Sequence, residues 1–188
     1  KVILKHASGN AVLGGYAIAW QVVALGYLVA SQVTRVGNPR MAMIVQQVIS
    51  QEKRDSFIIN YTILATLAGM AVGVPAFFWG EAMLQFFTPA YASAAEEVRI
   101  FAVYVMIAPI GMVSNQYLLA VKKIRAYALI LILAACLGLI LFYYMIPRWS
   151  APGAALAVVF GHGSAIIASA AVSWAHYSRT FRTKKLRR

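Results

Sequence analysis

The chain is 188 residues long, 62% hydrophobic and only 12% charged, with a mean hydropathy of +0.73. A soluble domain carries about twice that charged fraction, so composition excludes an ordinary water-soluble globular protein. The formal net charge of +12 does not point to nucleic acid, because the bases lie between apolar runs of spanning length, and the single Cys136 excludes a disulfide framework or a cysteine metal site.

Residues 1–10 (KVILKHASGN) are too short to span a bilayer and read as the tail of a helix ending in the Ser8-Gly9-Asn10 turn. The chain starts at Lys1 rather than Met and has no signal-peptide pattern, so we expect the C-terminal part of a longer polytopic protein. A bilayer core of about 30 Å needs about 20 helical residues, and residues 11–33 supply the first complete span. Its Tyr16, Trp20 and Tyr27 form a stripe at helical spacing, read as interhelical packing and interfacial anchoring in preference to a substrate surface. Gln21, Gln32 and Arg35 share a neighbouring face.

Gly37, Asn38 and Pro39 predict a helix break over residues 34–40. Residues 41–56 then read as amphipathic, with Met41, Ile44, Val45, Val48 and Ile49 on one face and Gln46, Gln47, Gln51, Lys53 and Arg54 on the other. A second span follows at 57–79, kinked by Pro75, and then a loop carrying Glu81, Glu96 and Glu97. The third span, 98–119, contains Pro109 and ends near Asn115, Gln116 and Tyr117, before the basic turn Lys122-Lys123-Ile124-Arg125. The fourth, 126–146, is almost wholly apolar.

A polar turn at Arg148 to Ser150 leads into the fifth span, 152–177, with Pro152 at the helix start. Gly153, Ala157, Gly161, Ala165, Ser169 and Ser173 recur there every fourth residue, the small-residue stripe by which helices approach closely in lipid. The fold class expected is therefore all-α, a polytopic transmembrane helix bundle of about five complete spans plus the end of a sixth.

Bases fix the orientation. Arg35, Arg40, Lys53, Arg54, Lys122, Lys123, Arg125 and the tail residues Arg179, Arg182, Lys184, Lys185, Arg187 and Arg188 fall on one side. Lys1, Lys5, Arg99 and Arg148 fall on the other. The richer side is cytoplasmic, which puts the C-terminus inside.

Enzyme signatures are scarce. His162 and Ser164, two residues apart on one helix, point to different faces and cannot act as base and nucleophile together. Phosphate loops, dinucleotide fingerprints and paired carboxylates within a span are absent, so neither a catalytic residue, a cofactor nor a metal is expected. All five acids, Glu52, Asp55, Glu81, Glu96 and Glu97, lie in loops or at span edges, whereas a proton-driven or cation-exporting pump needs a buried carboxylate. Near the membrane the chain offers bases and amides instead, Lys1, Lys5, Gln21, Gln32, Arg35, Arg40, Asn60, Asn115 and Gln116, which suit a sugar-linked phosphate or pyrophosphate. For any one of them, orientation signal and helix-end snorkelling are the simpler explanation.

Several stretches resemble the polysaccharide-biosynthesis flippases of the multidrug, oligosaccharidyl-lipid and polysaccharide exporter superfamily. Gly14-Gly15-Tyr16-Ala17-Ile18-Ala19 is similar to a G-x-Y-x-x-A helix start, and Pro39 before a polar segment to a helix-end proline of that family. Phe86-Phe87-Thr88-Pro89-Ala90-Tyr91 resembles L-F-G-P-x-Y with Thr88 for Gly, and Asn115-Gln116-Tyr117-Leu118-Leu119-Ala120 a further signature. Residues 146–157 resemble I-P-x-Y-G-x-x-G-A-A-x-A, with Ser150 for Gly.

The resemblance covers nearly the whole chain, in order and spacing. It implies an inner-membrane transporter of two pseudo-equivalent bundles, this chain forming most of the second and the missing N-terminal bundle being its partner. Such a protein flips a lipid-linked oligosaccharide by alternating access, and the resemblance admits polysaccharide-polymerase machinery as a further partner. On it, Lys1 and Lys5 fall on a cavity-lining helix and Gln21 and Arg35 on the next. The alternatives are a multidrug or other small-molecule exporter on the same scaffold, a membrane assembly subunit without a transport cycle, and last an intramembrane enzyme.

Overall fold

In lipid every backbone amide must be satisfied within the chain, and an apolar sequence of this length does so by forming helices. The computed structural model describes residues 2–46 and 50–185, with side chains described for 9–10, 12–45, 50 and 52–180. It is an all-α bundle. Helix α1 is Val2–Gln46 and α2 is Gln51–Phe87. A 3-10 segment, Pro89–Ala94, leads into α3, Ala95–Ala120, and α4 is Ile124–Lys185. Among the described residues four helical stretches are long and apolar enough to cross a membrane: Val12–Val45, Glu52–Phe87, Pro89–Ala120 and Ile124–Thr180.

Helix α3 is the central post. Val98, Phe101, Val105, Pro109 and Leu118 on it are fully buried, and α1, α2 and α4 all pack around it. The main core joins Ala19 and Val23 of α1, Ala76 and Leu84 of α2 and Ala155 of α4 to this post. Tyr16 and Trp20 set their rings edge-on to Phe101, at 5.4 and 5.1 Å between centroids, and Tyr27 stacks on Tyr104 at 6.2 Å. The aromatic stripe of α1 is thus used in packing. The close approach of α2 to α3 depends on Gly69 and Gly73, a small-xxx-small pair on α2. A methyl on Gly69 would sit 2.6 Å from the Val105 carbonyl oxygen, and one on Gly73 would reach 3.0 Å from that of Ala102.

The structure differs from the sequence reading in four places. No break occurs over residues 34–40, because α1 runs through Pro39 to Gln46. Proline removes one helix hydrogen bond and pushes on the preceding turn, a loss that tertiary contacts can absorb. Here they come from α2: the Tyr61 hydroxyl donates to the Thr34 carbonyl at 2.6 Å, and the Tyr61 ring lies against Gly37. Second, residues 41–56 are not one amphipathic helix. Their first part ends α1, with Met41 fully buried, and Ser50 precedes the first turn of α2 without a side-chain cap bond; Gln47, Val48 and Ile49 lie outside the described residues. Third, α2 extends to Phe87, so Glu81 lies on a helix and pairs with Arg99 at 3.5 Å instead of sitting in a loop.

Fourth, the two spans placed at 126–146 and 152–177 belong to a single helical element, α4. A straight helix of 57 residues would be about 85 Å long, nearly three bilayer cores. Instead the backbone reverses at Ser150 (φ 51°, ψ −125°) and brings Gly138 and Gly161 together, so that a methyl on Gly161 would lie 3.0 Å from the Gly138 Cα. The small-residue stripe lines this reversal. Gly153 meets the Met145 carbonyl, Ala157 and Ser169 are fully buried, Ala165 is half-buried, and Ser173 donates to the Ser114 carbonyl of α3 at 3.1 Å.

Candidate functional site

The ends of the bundle differ in charge. At the base-rich end, where α1 ends, α2 begins and α3 turns into α4, two cavities open on either side of α2. The larger, about 670 Å³, is a groove between α1 and α2. Arg40, Ser50, Glu52, Lys53, Ser56 and Asn60 line its polar part, and Val33, Val36, Phe57 and Leu64 its apolar part. Arg40 and Lys53 are exposed, and with Glu52 leave a net positive charge. The Asn60 side-chain amide donates to Ser56 Oγ at 3.3 Å, and Tyr61, stacked on Phe57 at 5.7 Å, closes the floor through its bond to Thr34. The groove therefore joins a cationic, hydrogen-bonding mouth to an apolar trough.

The second cavity, about 310 Å³, lies between α2, α3 and the distal arm of α4. Ile58, Ile59, Val113 and Trp174 make it mostly apolar, with Asp55, Ser114, Tyr117 and Ser173 at its polar edge. Asp55 Oδ1 is buried without a hydrogen-bond partner among the described residues, while the Tyr117 hydroxyl is 3.0 Å from His176 Nδ1. Arg54 turns inward on the same face of α2 as Tyr61 and Ala65 and is only 6% exposed, contrary to the expectation that it lies on a solvated polar face.

The structure does not gather the sequence-derived candidates into one place. Gln21 and Arg35 are exposed on α1, and their fourteen-residue separation is about 21 Å along the axis. Asn115 and Gln116 are half-buried near the end of α3, and Asn115 Oδ1 has no hydrogen-bond partner among the described residues. No hydrogen bond or ion pair among the described residues joins these four. Lys1 lies outside the described residues, and of Lys5 only the helical backbone is described. Sequence reasoning does not pair Arg40 with Lys53, because Lys53 reads as part of one amphipathic helix beginning just after Arg40, and the two line one groove only once α1 and α2 fold back.

At the opposite, base-poor end Glu97 stands at a span edge, in the first turn of α3, but it is buried there: it is 6% exposed, and its Oε2 has no partner among the described residues. His162 and Ser164 engage different groups. Ser164 Oγ donates to the Gly161 carbonyl at 2.7 Å, and the His162 ring lies edge-on to Tyr104 at 5.5 Å, with Nδ1 3.1 Å from the Val158 carbonyl. Among the described residues no group of three or more His, Cys, Asp or Glu could hold a metal ion. The chain matches no family model, no curated protein and no solved structure.

Proposed function

We propose that the chain is a membrane transporter that flips a lipid-linked oligosaccharide, a precursor of a polysaccharide such as O-antigen, across a bacterial inner membrane. The observation that carries this reading is the groove between α1 and α2. Its bases, hydroxyls and amide suit a sugar-pyrophosphate head group, while Val33, Val36, Phe57 and Leu64 suit the first part of a lipid tail. The family resemblance of the sequence points the same way. In this reading the two arms of α4 cross the bilayer separately. At about 39 and 45 Å for residues 124–149 and 151–180, each exceeds the hydrocarbon thickness, which gives five crossings. The base-rich end and the C-terminus are cytoplasmic by the distribution of Lys and Arg. Rocking of this bundle against a second one exposes the head-group site to each face in turn.

The test is precursor flipping by an Arg40→Gln/Lys53→Gln variant that still inserts into the membrane. Loss of both cations should lower the flipping rate by about tenfold or more, since charge-assisted bonds to phosphate are the strong ones. An unchanged rate removes the groove from the transport path. The Lys5→Ala/Arg35→Ala variant asks the same of the residues singled out by sequence.

A further inference from the structure

The base-poor end holds a cavity of about 390 Å³ that the transport reading does not use. Gly15 of α1, Tyr91 and Ser93 of the 3-10 segment, Glu96 and Glu97 of α3 and Ser150 at the reversal of α4 line it. Glu96 is exposed at the rim, whereas Glu97 is more than nine-tenths buried, with Oε2 unpartnered among the described residues. An acid in the first turn of a helix complements the helix dipole, but the exposed Glu96 already does so at no desolvation cost. Burial of a second carboxylate is unfavourable unless something cationic meets it.

The bases at this end whose side chains are described are engaged elsewhere: Arg99 pairs with Glu81 at 3.5 Å, and the Arg148 guanidinium lies over the Tyr144 ring at 3.7 Å. No basic side chain among the described residues lines the cavity. Its size decides what kind of cation fits. A water molecule occupies about 30 Å³, so the space is far too large for one desolvated metal ion and lies within the range of small-molecule sites. Two carboxylates are also too few for a divalent ion stripped of its water. Two acids, the Ser93 hydroxyl and an aromatic ring are groups that recognise an alkylated nitrogen cation.

We propose that this cavity binds a small alkylammonium ligand, its charge against Glu97 and Glu96 and its carbon skeleton against Tyr91. The site is at the opposite end of the bundle from the α1–α2 groove and stands whether or not the chain moves a saccharide. The test is calorimetric titration of ethylammonium chloride onto the full chain in nanodiscs, with sodium chloride at equal ionic strength as the reference. Saturable binding of ethylammonium is expected, weakened about tenfold or more in Glu97→Gln and by a smaller factor in Glu96→Gln. If Glu97→Gln does not give a monodisperse folded protein, Glu97→Asp, which keeps the charge but shortens its reach, must bind more weakly than the parent. Absence of saturable binding to the parent overturns the proposal. So does equal affinity in the folded Glu97 variant, or saturable binding of sodium without ethylammonium.

Discussion

The Tyr61 hydroxyl meets the Thr34 carbonyl at 2.6 Å just before the Pro39 turn of α1, and this contact from α2 accompanies a helix that runs unbroken through Gly37, Asn38 and Pro39. Tyr61→Phe keeps the ring and deletes only the donor. It should cost about 0.5–1.5 kcal/mol, the usual net worth of one intramolecular hydrogen bond, read as a lowered Tm in detergent. An unshifted Tm would show that the Thr34 carbonyl does not depend on Tyr61.

Gly37 is the other half of the same joint, since a methyl there would collide with the Tyr61 ring. Gly37→Ala should destabilise by about 1–3 kcal/mol through overpacking. In a Tyr61→Leu background, where the ring is gone, most of that cost should disappear. A double-mutant cycle measures the coupling, and strict additivity would mean that the two residues do not press on one another.

Ser150 (φ 51°) and Lys122 (φ 57°) hold left-handed backbone conformations that side chains disfavour. Lys122 closes α3 in a Schellman arrangement, its N–H bonded to the Leu119 carbonyl at 3.0 Å and that of Lys123 to Leu118 at 2.9 Å. Replacement by glycine should stabilise by about 1 kcal/mol at each position. The sites lie about 40 Å apart along the first arm of α4, so the gains should add. Denaturation of the single and double variants checks both claims.

Ser169 is fully buried and its hydroxyl has no hydrogen-bond partner among the described residues. Ser169→Ala should therefore be neutral or stabilising by up to about 1 kcal/mol. Ser173→Ala, which loses a bond to the Ser114 carbonyl, should be destabilising. The sign difference between these neighbours is the measurement, since a generic role for the stripe predicts the same sign for both.

Orientation is checked with cysteines placed at Ser93 and Arg125 in a Cys136→Ala background. A membrane-impermeant thiol reagent applied to intact cells should label position 93 and not 125. The reverse pattern would turn the bundle over and move the groove to the other face.

The helical class, the central proline-containing span and the reversal near Ser150 were legible because each is written in local residues: long apolar runs, Pro109 and a Pro-Arg-Trp-Ser-Ala-Pro turn. What escaped depended on partners distant in sequence. Gly37-Asn38-Pro39 reads as a stop signal until Tyr61, more than twenty residues on, is seen to support it. Glu97 reads as exposed until the 3-10 segment and the Ser150 reversal fold over it. Gly69 and Gly73 were in plain view at the same spacing as the distal stripe, and only the longer run drew notice. The Arg40–Lys53 pairing has no local signature, because it exists only across the join between two helices.

The reversal at Ser150 spends almost no chain, and the arms it joins touch through bare glycine at Gly138 and Gly161. Two rods clasped so tightly leave little room for a side chain between them, so any residue larger than glycine at position 161 would have to part the arms.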